Sequence, residues 1–463
     1  MKQYDVVVLG SGPAGQKAAI QAAKLRKRVA VVERGSLGGV CMNTGTIPSK
    51  TLREAVLYFS GYRQRSFYGR GYRVKEEVTI QDLLMRARHV TEREHGVIRD
   101  QMARNHVHLV SGEGSFQDPH TIRIVTPSGP RTVAADIIVI ATGTVPARPA
   151  SVAFDGHRII DSDGLLDLEE LPRSMIVVGG GVIGTEYATI FAAAGVDVTL
   201  IERRSGLLDF VDVEMVDALK YHARLQGVTL RLGEEVASVA GLDDTTRLVT
   251  AHLRSGKRVS ADTLLFSAGR HGATEQLNLQ AVGIATDERG RIAVTEHFQT
   301  AVPHIYAVGD VIGFPSLAST SMEQGRLAVS YALSLPTRTS LHPFPLGIYT
   351  VPEISMVGQT EEELTRDAVP YEVGRARYRE IARGAILGDD VGMLKMLFHA
   401  DNHRLLGVHV IGEGATELIH IGQAVLAFDG TLEYFVDSVF NYPTLAECYK
   451  VAALDAKNKL TAQ

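Results

Sequence analysis

Short apolar runs, each stopped by glycine or charge, recur along this chain. "YDVVVLGSGPAGQKAAIQAAKLRKRVAVVERGSLGG" (4–39) reads as apolar strand, glycine turn, helix, apolar strand and then an acid, Glu33. "SMIVVGGGVIGTEYATIFAAAGVDVTLIERRSGLL" (174–208) repeats that order and ends on Glu202. The strands are continuously apolar rather than alternating, the pattern of parallel strands covered on both faces. "IIVIATGTVPARP" (137–149) is a buried strand running into a glycine turn that closes the first unit, and "TLLFSAGRHG" (263–272) does the same for the second. "HIYAVGDVIG" (304–313) is a further buried strand ending at Asp310. The pattern predicts helices over "PSKTLREAVLY" (48–58) and over the charged run "RARHVTEREHGVIRDQMAR" (86–104), the latter a long solvated helix rather than a binding tract.

The two long units superimpose at a constant offset of 169, which pairs Gly10, Gly12 and Gly15 with Gly179, Gly181 and Gly184. In each, the acid stands 18 residues beyond the third glycine, and the offset also aligns Arg34 with Arg203. The first glycine permits the tight turn, the second lets backbone approach a pyrophosphate, and the third lets helix pack on strand. The helix N-terminus offers free N–H groups to the phosphates, and the acid accepts from a ribose diol. Glycine turns in ordinary α/β units are the plainer alternative, but two such loops with both acids in place point to two dinucleotide sites. Gly143 and Gly269, with Arg270, extend the candidates into the closing strands. Asp310 reads either as a turn or helix cap, or as an acid that could hold the ribityl chain of a flavin.

Size and charge narrow the classes. A chain of 463 residues accommodates about three domains. A net charge of −5 gives no reason to expect nucleic acid or an anionic membrane as partner. No apolar run reaches the ~18–20 residues of a membrane span, and the N-terminus enters a strand with no signal-peptide layout. Two cysteines, Cys41 and Cys448, make a disulfide-stapled fold unlikely to arise, and a cytoplasmic compartment is the expectation. The 16 histidines show no metal-ligand spacing, so no metal is expected.

"GGVCMNTGTIPSK" (38–50) carries the thiol question. With GSGPAG, ATG (141–143), GGGVIGTE, YAVGD (306–310), YTVPEISMVG (349–358) and NYPTLAE (441–447), it resembles the two-dinucleotide-fold flavoprotein reductases, among them lipoamide dehydrogenase and glutathione reductase. The resemblance spans essentially the whole chain. It implies an α/β fold of two Rossmann-like dinucleotide-binding domains and a C-terminal α+β dimerisation domain. FAD would bind 1–150 with 272–343, NAD(P) would bind 151–271, and 344–463 would form a homodimer or a larger homo-oligomer. Gly10, Gly12, Gly15, Glu33, Gly39, Thr46, Lys50, Gly143 and Asp310 fall on the flavin side. Gly179, Gly181, Gly184, Glu202, Arg203, Arg204, Gly269 and Arg270 fall on the nicotinamide side.

The departures are informative. Disulfide reductases of the family have a second cysteine where this chain has Thr46, and a histidine where it has Tyr442, while Glu447 is kept. A hydroxyl cannot form a disulfide, and a tyrosine titrating near ~10 is a poor proton shuttle for thiols. The closer resemblance is therefore to the soluble, FAD-containing pyridine nucleotide transhydrogenases, through "GTIPSK", "DVIGFPSLAS", "GIYTVPEIS", "YEVGRARY" and "FNYPT". It implies ping-pong hydride transfer from NADPH to NAD⁺ through flavin N5 without a redox disulfide. Lys50, alone a solvated helix residue, would lie near N5. Glu186, alone a first-turn acid, would pair with it near the nicotinamide. Glu202 favours the NAD ribose, and Arg203 with Arg204 could grip a 2′-phosphate, or all three form a solvated turn. Cys41 reads as a packed side chain, Tyr442 as packing across a dimer or hydrogen-bonding where the histidine would have stood, and His420 as a helix-face residue. Rival readings are a quinone or dye reductase on the same scaffold, a dithiol enzyme using Cys448, and a non-catalytic nucleotide-binding protein.

Overall fold

The computed structural model describes residues 2–69, 71–241, 248–337 and 343–461. Its first sheet runs His108–Ser111, Val29–Glu33, Lys2–Leu9, Gly129–Ile140 and Ile305–Ala307, all parallel, and continues antiparallel into Thr121–Thr126 and Glu113–Asp118. Alternation explains the unbroken apolar runs. Val7 and Leu9 enter one core with Phe116 and Ile122, while Val6 and Val8 enter another with Ala14 and Ala18 of the helix Pro13–Lys24. The late strand Ile305–Ala307 and the helix Ala318–Ala332 both return to this sheet, the helix lying against Pro13–Lys24. Gly325 makes that crossing possible, since a Cβ there would stand 2.1 Å from the Ala14 carbonyl oxygen.

The second sheet repeats the plan with the order Thr229–Leu232, Asp197–Glu202, Ser174–Val178, Thr263–Phe266, Ile159–Asp161, again parallel. Met175 and Val177 face the helix Val182–Ala193, and Ile176 and Val178 face an antiparallel sheet of Val236–Ala240, Val249–Leu253 and Arg258–Ala261. The third large sheet is antiparallel: Leu346–Ile348, Ile354–Gly358, Leu405–Ile411, Met393–His399, Tyr371–Arg377. The helices Ala415–Ala427 and Glu447–Leu460 cover it.

Two helix expectations are corrected. The charged helix is Ile80–Arg104, beginning earlier than the charge run and not solvated all round. Ile80, Leu83, Leu84, Ala87, Ile98 and Met102 form a buried stripe, and Thr79 with Asp82 closes a capping box at its start. The helix expected from Pro48 is Thr46–Phe59. The first-turn N–H groups of a helix have no partner within it, so Pro48 fits at the third position and two residues precede it. Cys41 lies just ahead of that helix, within the short helix Gly39–Asn43.

A buried charge cluster joins the second and third sheets. Lys395 Nζ lies 2.8 Å from Asp212 Oδ2 and 3.2 Å from Glu214 Oε2, and it also pairs with Glu361. Burial pushes the Asp212 carboxyl up, but the Lys395 ammonium, by hydrogen bond and charge, brings it below its ordinary value, with His409 adding to this only where it is protonated. Burial also pushes His409 down, so at neutral pH that imidazole is uncharged and Lys395 supplies the compensating charge. Among the described residues, no helix is long and apolar enough to cross a membrane.

Candidate functional site

The six glycines of the two loops divide by what a Cβ would meet. Gly10 has φ +101°, and its Cβ would lie 2.4 Å from the Ala141 carbonyl oxygen; Gly179 has φ +108° and would approach Ser267 O to 2.9 Å. At Gly15 and Gly184 a Cβ would sit 2.0 and 1.9 Å from the carbonyl oxygens of Gly10 and Gly179. At Gly12 and Gly181 it would meet nothing within 4 Å. The first and third glycines therefore serve the chain's own packing, and the middle one leaves room outside the loop.

Each acid ties its loop in the same way. Glu33 Oε2 accepts from the Ser11 N–H (2.8 Å) and hydroxyl (2.7 Å), and Oε1 accepts from the Gly35 N–H at 2.9 Å. Glu202 Oε2 accepts from the Gly180 N–H at 2.6 Å, and Oε1 from the Arg204 N–H at 2.8 Å. Ser11 with Gly180, and Gly35 with Arg204, are pairs at the offset of 169.

A cleft of about 410 Å³ opens over the first loop. Gly10, Gly12, Glu33, Gly39, Thr46, Gly143 and Asp310 line it, while Gly15 lies beneath the turn and Lys50 one helical turn past Thr46. The helix Pro13–Lys24 starts at Gly12 with no side-chain cap and no acid in its first turn, so its N–H groups remain available to phosphate. The Thr142 hydroxyl, also in the lining, is buried without a hydrogen-bond partner. A Cβ at Gly39 would come within 3.1 Å of Gly12 Cα, so glycine lets the two loops close together. Burial raises the Asp310 carboxyl, with only Ser321 Oγ at 3.5 Å in hydrogen-bonding range. An open phosphate loop, an acid at the ribose position and unsatisfied polar groups along the floor fit FAD.

At the far end, the half-buried Cys41 thiol is pushed up by burial, and a hydrogen bond with Thr46 offsets this only in part. Cys448 is fully buried, its thiol pushed up to about 12, and both cysteines are free. Lys50 Nζ donates to Glu186 Oε2 at 2.6 Å, across 136 residues of sequence. Glu186 is 5% exposed in its side chain, and its other oxygen accepts from the Tyr349 N–H at 2.8 Å. The Lys50 ammonium also lies 4.9 Å from the centroid of the Tyr349 ring. Glu186 is thus held by the helix Thr46–Phe59 and by the loop joining the first two strands of the third sheet.

On the second unit, the structure separates the two arginines. Arg204 folds back, Nε 3.0 Å from Glu202 Oε1 and Nη1 2.6 Å from Asp209 Oδ1. Arg203 is exposed and makes no hydrogen bond or ion pair with any described residue. Burial raises the Glu202 carboxyl, but the Arg204 guanidinium and the backbone donors lower it by more. Gly269 has φ +129°, and Arg270 is committed to Thr144 Oγ1 (2.8 Å), Thr144 O (2.9 Å) and Ser162 Oγ (3.1 Å), bracing the strand exits of both units. Tyr442, expected to pack across a dimer, is 73% exposed in the single chain, and Glu447 Oε2 is buried without a hydrogen-bond partner among the described residues. His420 is exposed on the helix Ala415–Ala427. Among the described residues there is no group of three or more potential metal ligands. Sequence reasoning missed Ser11, Thr142, Tyr349 and Asp209; the first three lie inside GSGPAG, ATG and YTVPEISMVG, but nothing in those strings singles them out.

Comparison with known proteins places this geometry. Residues 4–325 match the family model described as pyridine nucleotide-disulphide oxidoreductase, and 344–453 match that family's dimerisation domain. A curated protein of Mycobacterium bovis named "Soluble pyridine nucleotide transhydrogenase" is 57% identical, over 100% of this chain and 99% of its own length. One of the same name from Colwellia psychrerythraea is 46% identical, over 99% and 98%. Among solved structures, LpdA from Mycobacterium tuberculosis superimposes with a TM-score of 0.89 at 26% identity, covering 98% of this chain and 99% of that one. The HOCl-induced flavoprotein disulfide reductase RclA from Escherichia coli gives 0.88 at 27%, with the same coverage.

Proposed function

The chain belongs to the pyridine nucleotide-disulphide oxidoreductase family, and from that premise we propose that it is an FAD-dependent soluble transhydrogenase moving hydride from NADPH to NAD⁺. Its curated relatives carry that name. The observation that carries the reading is a thiol without a thiol partner, Cys41 beside Thr46, in a site whose two glycine loops and Lys50–Glu186 pair are intact.

FAD is assigned to the first cleft, and the nicotinamide nucleotides to the second glycine loop as substrates. Bound FAD supplies a hydride acceptor and donor that both nicotinamides can share at N5. The two nucleotides use one pocket in turn, a ping-pong order. Lys50 sets its ammonium one helical turn past Thr46, which lines the cleft, and would stabilise negative charge on a reduced flavin bound there. Glu186 fixes the direction of that ammonium, and the Tyr349 N–H fixes Glu186. No side chain needs to exchange a proton with a thiol, which is consistent with tyrosine at 442. Residues 1–150 with 272–343 form the flavin domain, 151–271 the nicotinamide domain and 344–463 the dimerisation domain. The exposed Phe428, Val439 and Tyr442 support a homodimer, and a cytoplasmic location goes with the reading.

The test is hydride transfer from NADPH to a thio-analogue of NAD⁺, run beside lipoamide, oxidised glutathione and a quinone. Turnover with the thionicotinamide as best acceptor is expected. Rapid quinone reduction without nucleotide-to-nucleotide transfer would replace the assignment by a quinone reductase.

A further inference from the structure

The second glycine loop carries a charge arrangement that the first lacks. Behind Glu33 stands Gly35, which contributes only its N–H. Behind Glu202 stands Arg204, which contributes the same N–H and then lays its guanidinium on the carboxylate, Nε at 3.0 Å and Nη2 at 3.4 Å. With the Gly180 N–H at 2.6 Å, the acid is hydrogen-bonded on both oxygens before any ribose arrives. Arg204 is held from its other end by Asp209, whose own side chain is 64% exposed. Arg203, next in sequence, is unengaged and exposed.

We propose that Asp209 is a specificity-determining latch: by holding Arg204 Nη1 it keeps the adenosine pocket in a form that takes an unphosphorylated ribose, and its release of that donor, with Nε and Nη2 staying on Glu202, admits a 2′-phosphate beside Arg203. The proposal rests on the second loop being the nicotinamide nucleotide site. A 2′-phosphate brings nearly two negative charges towards the Glu202 carboxylate, which has to be neutralised for the phosphate to bind. Arg203 alone offers one guanidinium. Arg204 provides a second, but only by turning a donor away from Asp209, because its Nε and Nη1 are already spent. Asp209 therefore charges a toll on NADP(H) that NAD(H) does not meet. An exposed ion pair of this kind is worth little, so the toll is small and lets one pocket serve both nucleotides.

The experiment uses fragments that report the adenosine end alone. Dissociation constants for 2′,5′-ADP and for 5′-ADP are measured by calorimetry on the FAD-loaded protein, in displacement against NAD⁺. D209N should bind 2′,5′-ADP about two- to fivefold tighter than the native chain, with 5′-ADP unchanged. R203A should lose 2′,5′-ADP selectively. In an R204A background, D209N should no longer sharpen 2′,5′-ADP binding. Equal gains for both fragments, no gain, or a gain that persists without Arg204 would each overturn the latch, the last because it would show a plain loss of negative charge. If neither fragment displaces NAD⁺ from the native protein, the reading of the second loop fails first and takes the latch with it.

Discussion

Alanine at Gly181 and at Gly184 should separate binding from folding within a single loop. At Gly184 the added carbon would lie 1.9 Å from the Gly179 carbonyl oxygen and 2.6 Å from Ser267 Oγ. Two of these neighbours are held in place by the strand exit, so helix and strand must part. Overpacking of this kind costs ~3 kcal/mol at the upper end of its usual range. At ~2–4 °C per kcal/mol for a domain of this size, the melting temperature should fall by roughly 6–12 °C. At Gly181 the carbon meets nothing within 4 Å, and φ is −78°, open to any residue. Losing glycine at the N-cap costs a few tenths to ~1 kcal/mol, and the stiffer unfolded chain returns ~0.4–1 kcal/mol. Melting should therefore stay within about 2 °C. The same carbon occupies the face reserved for a pyrophosphate. Displacing one charge-assisted N–H bond to phosphate costs ~1.5–3 kcal/mol, or roughly ten- to hundredfold in affinity for NADPH. Differential scanning calorimetry and NADPH titration followed by flavin fluorescence give both numbers on each variant. A G181A protein that binds NADPH within twofold of the native chain, or a G184A protein that melts with it, would refute the division of roles.

Other outcomes follow from the same structure. C41S should keep transfer from NADPH to thio-NAD⁺ within about twofold; a thiol-dependent enzyme would lose it, since serine cannot replace the thiolate as nucleophile or electron donor. E186Q leaves Lys50 beside a neutral partner and should lower kcat about tenfold or more with NADH and NADPH alike, because the pair lies far from the 2′ position; steady-state kinetics showing loss with one nucleotide only would contradict its placement. D212N should remove stability in a pH-dependent way. The folded Asp212 carboxyl lies below its ordinary value, so its contribution is complete above about pH 4 and disappears as pH falls through the depressed value. Melting curves of native and D212N protein should thus lie furthest apart near pH 6–7 and converge on acidification; a constant gap would place the stabilisation elsewhere.

Much of this was legible because it depends on local chain chemistry. The third glycine of each loop acts through sterics against the first, five residues back, and the spacing records that contact directly, whereas the first glycine meets a distant strand exit at Ala141 or Ser267. The continuous apolar strands record burial on two faces. Contacts made through backbone atoms leave no such trace. The Tyr349 N–H on Glu186 would form with any non-proline residue at 349, so nothing at that position announces it. Arg270 looked like a nucleotide ligand because it follows a glycine turn, yet three of its donors are consumed by Thr144 and Ser162. Helix boundaries slipped for a similar reason. Pro48 looked like a start signal, but proline is tolerated anywhere in the first turn.

The duplicated unit also shows how two copies of one fold come to differ in what they can hold. Both loops turn on the same glycines, and both acids receive the same two backbone N–H groups at offset positions. The differences are what accompanies those N–H groups. In the first copy the Ser11 hydroxyl completes Glu33, and Gly35 adds no side chain, so the carboxylate keeps its negative charge facing the cleft. That suits a ribose diol and repels a further phosphate. In the second copy Gly180 has no hydroxyl to offer, and Arg204 covers the acid with a positive group. The net charge at the ribose position drops from −1 towards zero there, before Arg203 is counted. A two-residue change in one repeat is therefore enough to relax discrimination against a 2′-phosphate without moving the acid, the turn or the helix. On the function proposed above, the second copy accepts two nucleotides in succession and needs that tolerance, and the first, which would retain one flavin, does not.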